Sequence, residues 1–182
     1  MTGFYHGRRV RSVPVIRIVH LDAAVFRALA DGDLATANRL APVPASEWLA
    51  GPECRDVWRM RLGQALDDPG SEAWTTGIVW DPVREKAVGR AGFHGPPDAD
   101  GMVEIGYAID PAFRRQGCAR AALEALLARA RQEPAVNRVR ASIRPDNVAS
   151  SNLALPYGFV PVGEQWDDED GLEIVYELAV AA

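Results

Sequence analysis

The residues best equipped for chemistry lie in one unbroken stretch, Glu104-Ile105-Gly106-Tyr107-Ala108-Ile109-Asp110-Pro111-Ala112-Phe113-Arg114-Arg115-Gln116-Gly117-Cys118-Ala119-Arg120. An extended apolar run stops at Asp110-Pro111, and a basic turn containing glycine then opens an alanine- and leucine-rich segment. Strand, basic glycine turn and helix in that order form a seat for an anion. The first N–H groups of a helix have no partner within it and carry a partial positive charge, so a phosphate placed there meets several donors at once. Gly117 lets the backbone approach closely, and Arg114 and Arg115 add charge. Read more plainly, Gly117 permits a turn and the arginines are a solvated helix start.

The elements that must position this turn follow from periodicity. Val13 to Val19 reads as a strand and Leu21 to Ala30 as a helix ending at Asp31-Gly32-Asp33. Leu34 to Leu66 is helical but interrupted by Pro42, Pro44 and Gly51-Pro52, which predicts two or three short helices with Trp48, Val57, Trp58 and Leu62 inside. Trp74 to Trp80, Lys86 to Phe93 and Met102 to Ile109 then form an antiparallel meander. Phe113 to Arg131 is a long helix with Leu123, Leu126 and Leu127 on one stripe. Arg138 to Ile143 alternates as a strand, Asn147 to Leu155 is a short helix before Gly158, and Phe159 to Trp166 with Leu172 to Leu178 makes a hairpin. An acidic turn, Asp167-Asp168-Glu169-Asp170-Gly171, joins its two strands.

Arg114-x-x-Gly117-x-Ala119, set after a three-strand meander and before a strand and helix, resembles the coenzyme signature of the GNAT superfamily of acetyl-CoA-dependent N-acetyltransferases. Glu104 before Ile105-Gly106-Tyr107 resembles the ribosomal-protein alanine acetyltransferase branch. Asn147-x-Ala149-Ser150, Tyr157-Gly158-Phe159 and Val162-Gly163-Glu164 resemble the family's second motif. The resemblance implies a mixed α/β (α+β) fold: a mostly antiparallel twisted sheet of six to seven strands with a central parallel pair, flanked by about four helices. It implies one domain over residues 1–182, with N-terminal helices at about 21–66 shaping the acceptor side and a coenzyme-binding core at about 73–178.

By the same resemblance acetyl-CoA is the cosubstrate. Gln116, Gly117 and Ala119 would offer backbone N–H groups to its pyrophosphate, within a turn that also holds Arg114, Arg115, Cys118 and Arg120. Tyr107, Ala108 and Ile109 would run beside the pantetheine arm, as an added strand pairs with a sheet edge. Asn147 would hydrogen-bond that arm or simply cap a helix, and Ser150 and Asn152 would sit near the coenzyme. The chain also departs from the family. Where many members carry a tyrosine acid, four residues before the glycine of Gly158-Phe159, stands Ala154. Where others place a glutamate base, five residues before Asn147, stands Ser142.

Acetyl transfer to an alkylamine needs a proton acceptor, because at pH 7 only about 1 part in 2,500 of such an amine is neutral, a handicap of about 4.6 kcal/mol. Glu104 is the first candidate for that base, with an exposed strand carboxylate as its plainer reading. His94 titrates in the right range but follows a strand as a loop histidine. The acidic run from Asp167 to Asp170 could draw in a cationic acceptor. Cys118 reads as a bystander, since the family transfers directly from thioester to amine.

Composition narrows the rest. A chain of 182 residues, 48% hydrophobic and 25% charged, suits one packed domain. A formal net charge of -5 argues against nucleic acid as a partner. No uncharged apolar run is long enough to span a bilayer, and Arg8, Arg9 and Arg11 are not followed by a signal peptide's apolar core. Two cysteines, Cys54 and Cys118, suit a reducing cytoplasm. His6, His20 and His94 lack metal-ligand spacing, so no metal is expected. The expected partner is an amine, either a protein N-terminus or a small molecule, and the family's habit of pairing makes a homodimer an open expectation. The competing reading is a coenzyme-binding regulatory module that kept the fold and lost turnover, motivated by Ala154 and Ser142.

Overall fold

In the computed structural model residues 14–168 and 170–180 are described. Val13, His6, the N-terminal arginines, Glu169 and Ala181-Ala182 lie outside the described residues. The described chain runs β1 (Arg17–Val19), α1 (Ala23–Ala30), α2 (Leu34–Leu40), α3 (Pro52–Asp67), β2 (Gly77–Asp81), β3 (Lys86–Phe93), β4 (Met102–Ile109), α4 (Cys118–Gln132), β5 (Arg138–Ile143), α5 (Val148–Ala154), β6 (Val160–Asp167) and β7 (Gly171–Ala179).

The strands form one sheet in the order β1-β2-β3-β4-β5-β7-β6. All neighbours are antiparallel except β4 and β5, which are parallel and pair only over Met102–Glu104 against Arg138–Arg140. Beyond Glu104 the two strands part. Ile105 to Ile109 stay paired with β3 on one side, while β5 keeps β7 as its partner over its whole length, Arg138 to Ile143. The expected fold class, with a central parallel pair in a mostly antiparallel sheet, is the one observed, with five α-helices among the described residues.

Strand alternation sends successive side chains to two cores. Val79, Val88, Val103 and Val139 face α4, whose Leu123, Leu126 and Leu127 are buried among them. Ile78 and Ala87, each one residue earlier on the same strands, face α1 to α3. There Trp58 is fully buried, donates from its indole to the Leu49 carbonyl at 2.7 Å, and stacks on Phe26 with ring centroids 6.0 Å apart.

Several boundaries differ from the sequence reading for local reasons. Gly51-Pro52 starts a helix instead of breaking one: Pro52 occupies the first turn, where its missing N–H costs nothing. The segment from Leu34 onward therefore carries two helices, the short α2 and the 16-residue α3, where two or three short ones were expected. The long helix begins at Cys118 and not at Phe113, because Pro111–Phe113 makes a separate 3-10 turn capped by Asp110. Trp74 ends a 3-10 turn, and β2 starts at Gly77.

Candidate functional site

Where β4 leaves β5, a cleft of about 590 Å³ opens. One wall is Tyr107, Ala108 and Ile109, another is the turn into α4, and the far side is closed by Asn147, Ala149, Ser150 and Leu153 of α5. The divergence explains the cleft: a strand whose neighbour has turned away leaves main-chain groups and a gap one strand wide.

The turn is shaped by backbone conformation. Gly117, the residue before α4, has φ of 87°, and Arg115 takes φ of 58°, unusual for a residue with a side chain. This pair of left-handed residues turns the chain so that the first residues of α4 line the cleft. The Arg114 side chain folds back, its Nε donating to the Ile109 carbonyl at 3.0 Å, which ties the end of β4 to the turn. Gln116 does not line the cleft; its amide donates to the Ala112 carbonyl at 3.0 Å. The other sequence candidates for coenzyme contact, Tyr107, Ala108, Ile109, Arg114, Arg115, Gly117, Cys118, Ala119, Arg120 and Asn147, all border it.

Asn147 has the capping role weighed from the sequence: its side chain accepts from the Ser150 N–H at 3.2 Å while the residue also faces the cleft. Ser150 borders the cleft and shares a hydrogen bond with Tyr107, whose phenol burial pushes up. Cys118 is buried in the core under the turn, and that burial pushes its thiol up, which suits packing and not nucleophilic attack. Ala154 is also buried, so a methyl group fills the place of the family's tyrosine acid.

On the opposite face of the sheet, Glu104 receives a hydrogen bond at 2.6 Å from the Ser142 hydroxyl. The carboxylate missing from β5 is thus supplied beside the same spot by β4. His94 comes to the same place: its N–H donates to the Glu104 carbonyl at 2.8 Å, and its Nδ1 lies 3.9 Å from Glu104 Oε2. Gly106 makes room for the ring, since a Cβ there would stand 2.8 Å from His94 Nε2. Burial holds the His94 imidazole below its ordinary value; Arg61 and Arg90 add to this, and Glu104 and Asp167 oppose it.

Arg61 of α3 is buried, donating to Thr76 Oγ1 at 2.9 Å and to Gln64 Oε1 at 2.7 Å, and desolvation lowers it to about 10. Its Nη1 and the Gln64 amide both reach the His94 carbonyl, at 3.3 and 2.9 Å, so α3 anchors the histidine. A second hollow, of about 440 Å³, lies on this face among Ser142, Arg144, Asp146, Asp170 and Glu173. Asn147 borders both hollows. Sequence reasoning did not single out Gln165 or Glu173, which join this cluster from the hairpin. Among the described residues no group of three or more His, Cys, Asp or Glu could hold a metal ion, and no helix is long and apolar enough to cross a membrane.

Residues 18–160 match the Acetyltransferase (GNAT) domain family. The chain belongs to the GNAT acetyltransferases. A GNAT relative from Bacillus subtilis (strain 168), an uncharacterized N-acetyltransferase named YjdG, is 32% identical over 147 residues, covering 80% of this chain and 86% of its own. Among solved structures, a ribosomal-protein-S5-alanine acetyltransferase from Vibrio fischeri superposes with a TM-score of 0.61 at 19% identity, covering 90% of this chain and 91% of that one. A RimL ribosomal L7/L12 alpha-N-protein acetyltransferase, in complex with coenzyme A, gives 0.62 at 19%, covering 92% and 97%. At that identity these two structures speak to the GNAT fold alone.

Proposed function

We propose that this GNAT acetyltransferase takes an acetyl group from acetyl-CoA and passes it to a primary amine, a protein N-terminus or a small molecule. The single observation that carries the reading is the open lower half of β4 facing the N-terminus of α4 across one cleft. The pyrophosphate would lie against the N–H groups of Gly117 and Ala119, with Arg114, Arg115 and Arg120 beside it. The pantetheine arm would pair with Tyr107 to Ile109 as an added strand and reach Asn147, carrying the thioester toward Glu104.

Glu104 acts as the general base. An ammonium group entering from the opposite face gives a proton to the carboxylate, and the free amine attacks the thioester carbonyl. A C–N bond forms, the C–S bond breaks, the electron pair leaves with sulfur, and the nitrogen, still carrying one proton too many for an amide, releases its second proton to water. The thiolate, a tolerable leaving group with a pKa near 8.5 on the free-thiol scale, takes a proton from solvent. Around the second hollow Asp146, Asp170 and Glu173 outnumber Arg144, which pairs with the first two, and the remaining negative charge favours a cationic approach. The domain would divide as the sequence suggests, α1 to α3 shaping the acceptor side through Arg61 and Gln64.

Isothermal titration of the wild type and of Gly117→Glu with acetyl-CoA tests the coenzyme site: micromolar binding lost in the variant supports it, and no binding by the wild type sinks it. Thiol release is then followed with a peptide bearing a free N-terminus, a polyamine and an aliphatic monoamine. Binding without release from any acceptor would favour the regulatory reading instead.

A further inference from the structure

Glu104, Ser142, Gln165 and Glu173 come from β4, β5, β6 and β7, one residue from each. The Ser142 hydroxyl donates to Glu104 Oε1 at 2.6 Å, and the Gln165 amide nitrogen donates both to Ser142 Oγ at 3.1 Å and to Glu173 Oε2 at 2.9 Å. The direction of this chain follows from what each group can do. An ionised carboxylate only accepts, so Glu173 selects the nitrogen end of the Gln165 amide. The second hydrogen on that nitrogen then goes to the Ser142 oxygen. A serine hydroxyl has one proton, and with its oxygen already accepting from Gln165, that proton points to Glu104.

Packing does not account for a glutamine here. β6 is an edge strand whose residues from Val160 to Glu164 are all exposed, and Gln165 is the first to turn inward. An apolar side chain at that position would bury its surface without needing partners. Gln165 instead satisfies two of them, 23 residues and 8 residues away along the chain.

We propose that Gln165 is a positioning residue for acetyl transfer: held by Glu173, it aims the Ser142 hydroxyl at Glu104 Oε1, which leaves Oε2 as the oxygen presented to the incoming amine. The inference rests on Glu104 being the base. Its reach is longer than one contact, because it makes the β6–β7 hairpin part of the machinery that sets the base on β4.

The test reads Glu104 directly. In protein labelled with carbon-13 at the glutamate carboxyl, the Glu104 resonance is identified by its absence from Glu104→Gln and titrated with pH. Gln165→Met keeps the length of the side chain and removes both donors; Ser142→Ala removes the hydroxyl. Losing a hydrogen bond to the charged form moves the midpoint up, by about one pH unit in Ser142→Ala. Gln165→Met moves it in the same direction, and the double variant moves it no further than Ser142→Ala alone, because Gln165 acts through Ser142. A Glu104 titration unchanged in Gln165→Met, in a protein whose circular dichroism and melting match the wild type, overturns the proposal. So does a double variant that shows the full sum of the two single shifts. The parent reading fails separately: Glu104→Gln would then release thiol at the wild-type rate with the acceptor amines, whatever the titration shows.

Discussion

His94 and Glu104 are joined through their main chains, the His94 N–H donating to the Glu104 carbonyl at 2.8 Å, while their side chains stop at 3.9 Å. The histidine therefore keeps its place whether or not its ring is charged. Charge is set by surroundings: burial lowers the imidazole, Arg61 and Arg90 lower it further, and Glu104 and Asp167 pull the other way. His20 is lowered as well, by burial first and then by Arg129.

This has a consequence for stability against pH. Both imidazoles bind protons less readily folded than unfolded, so below the ordinary value of 6.5 the unfolded chain holds more protons. Stability should fall as pH drops through 6.5 and level off only below the lowered folded values. Melting curves between pH 5 and pH 8 check this, with His94→Asn flattening part of the decline. A midpoint that rises on acidification across that window would contradict it.

Glu104→Gln should cut kcat/KM for the acceptor by roughly 10²- to 10⁴-fold, the usual worth of a positioned base. Its affinity for acetyl-CoA should stay within about twofold, since Glu104 lies outside the cleft lined by Tyr107 to Arg120. Steady-state kinetics beside calorimetry separates the two effects.

Gly117→Val places a branched side chain at φ of 87° and a Cβ 3.0 Å from Pro14 Cδ. The strain is about 1–2 kcal/mol, and relieving it moves the first residues of α4 away from the cleft. The expected outcome is a coenzyme affinity weakened at least about tenfold in a protein that still melts cooperatively. Equal affinity in the variant would mean that the turn does not set the site.

Trp58→Ala should be severe without touching either hollow. It removes a fully buried ring, its hydrogen bond to the Leu49 carbonyl and its stack on Phe26. A loss of about 3–5 kcal/mol is expected, seen as a fall in melting temperature on the order of 10 °C.

The turn into α4 was legible because its shape is set locally. Asp110-Pro111 ends a strand, Gly117 turns the chain and the alanines behind it carry the helix, all within a few residues. Pro52 misled for the same reason: its effect depends on whether it lies inside a helix or at its start, and only the packing of Trp58 and Cys54 behind it settles that. The cluster around Glu104 was legible in part. Glu104 could be nominated from its strand, but Ser142, noted as the place of a missing glutamate, is 38 residues away, and no periodicity joins it to Glu104 or to Gln165. Gly106 gave no signal either, because its lack of a side chain serves a histidine just past the end of the neighbouring strand.

The short pairing of β4 with β5 also bears on how this molecule keeps company with other chains. Two strands that separate inside a sheet create a pair of free edges in its middle, and free edges ordinarily invite neighbouring sheets to dock and aggregate. Here the free half of β4 faces a slot lined by α5 and the turn into α4. The unpaired half of β4 is thus recessed between α5 and the turn into α4, while the outer edges of the sheet belong to β1 and β6.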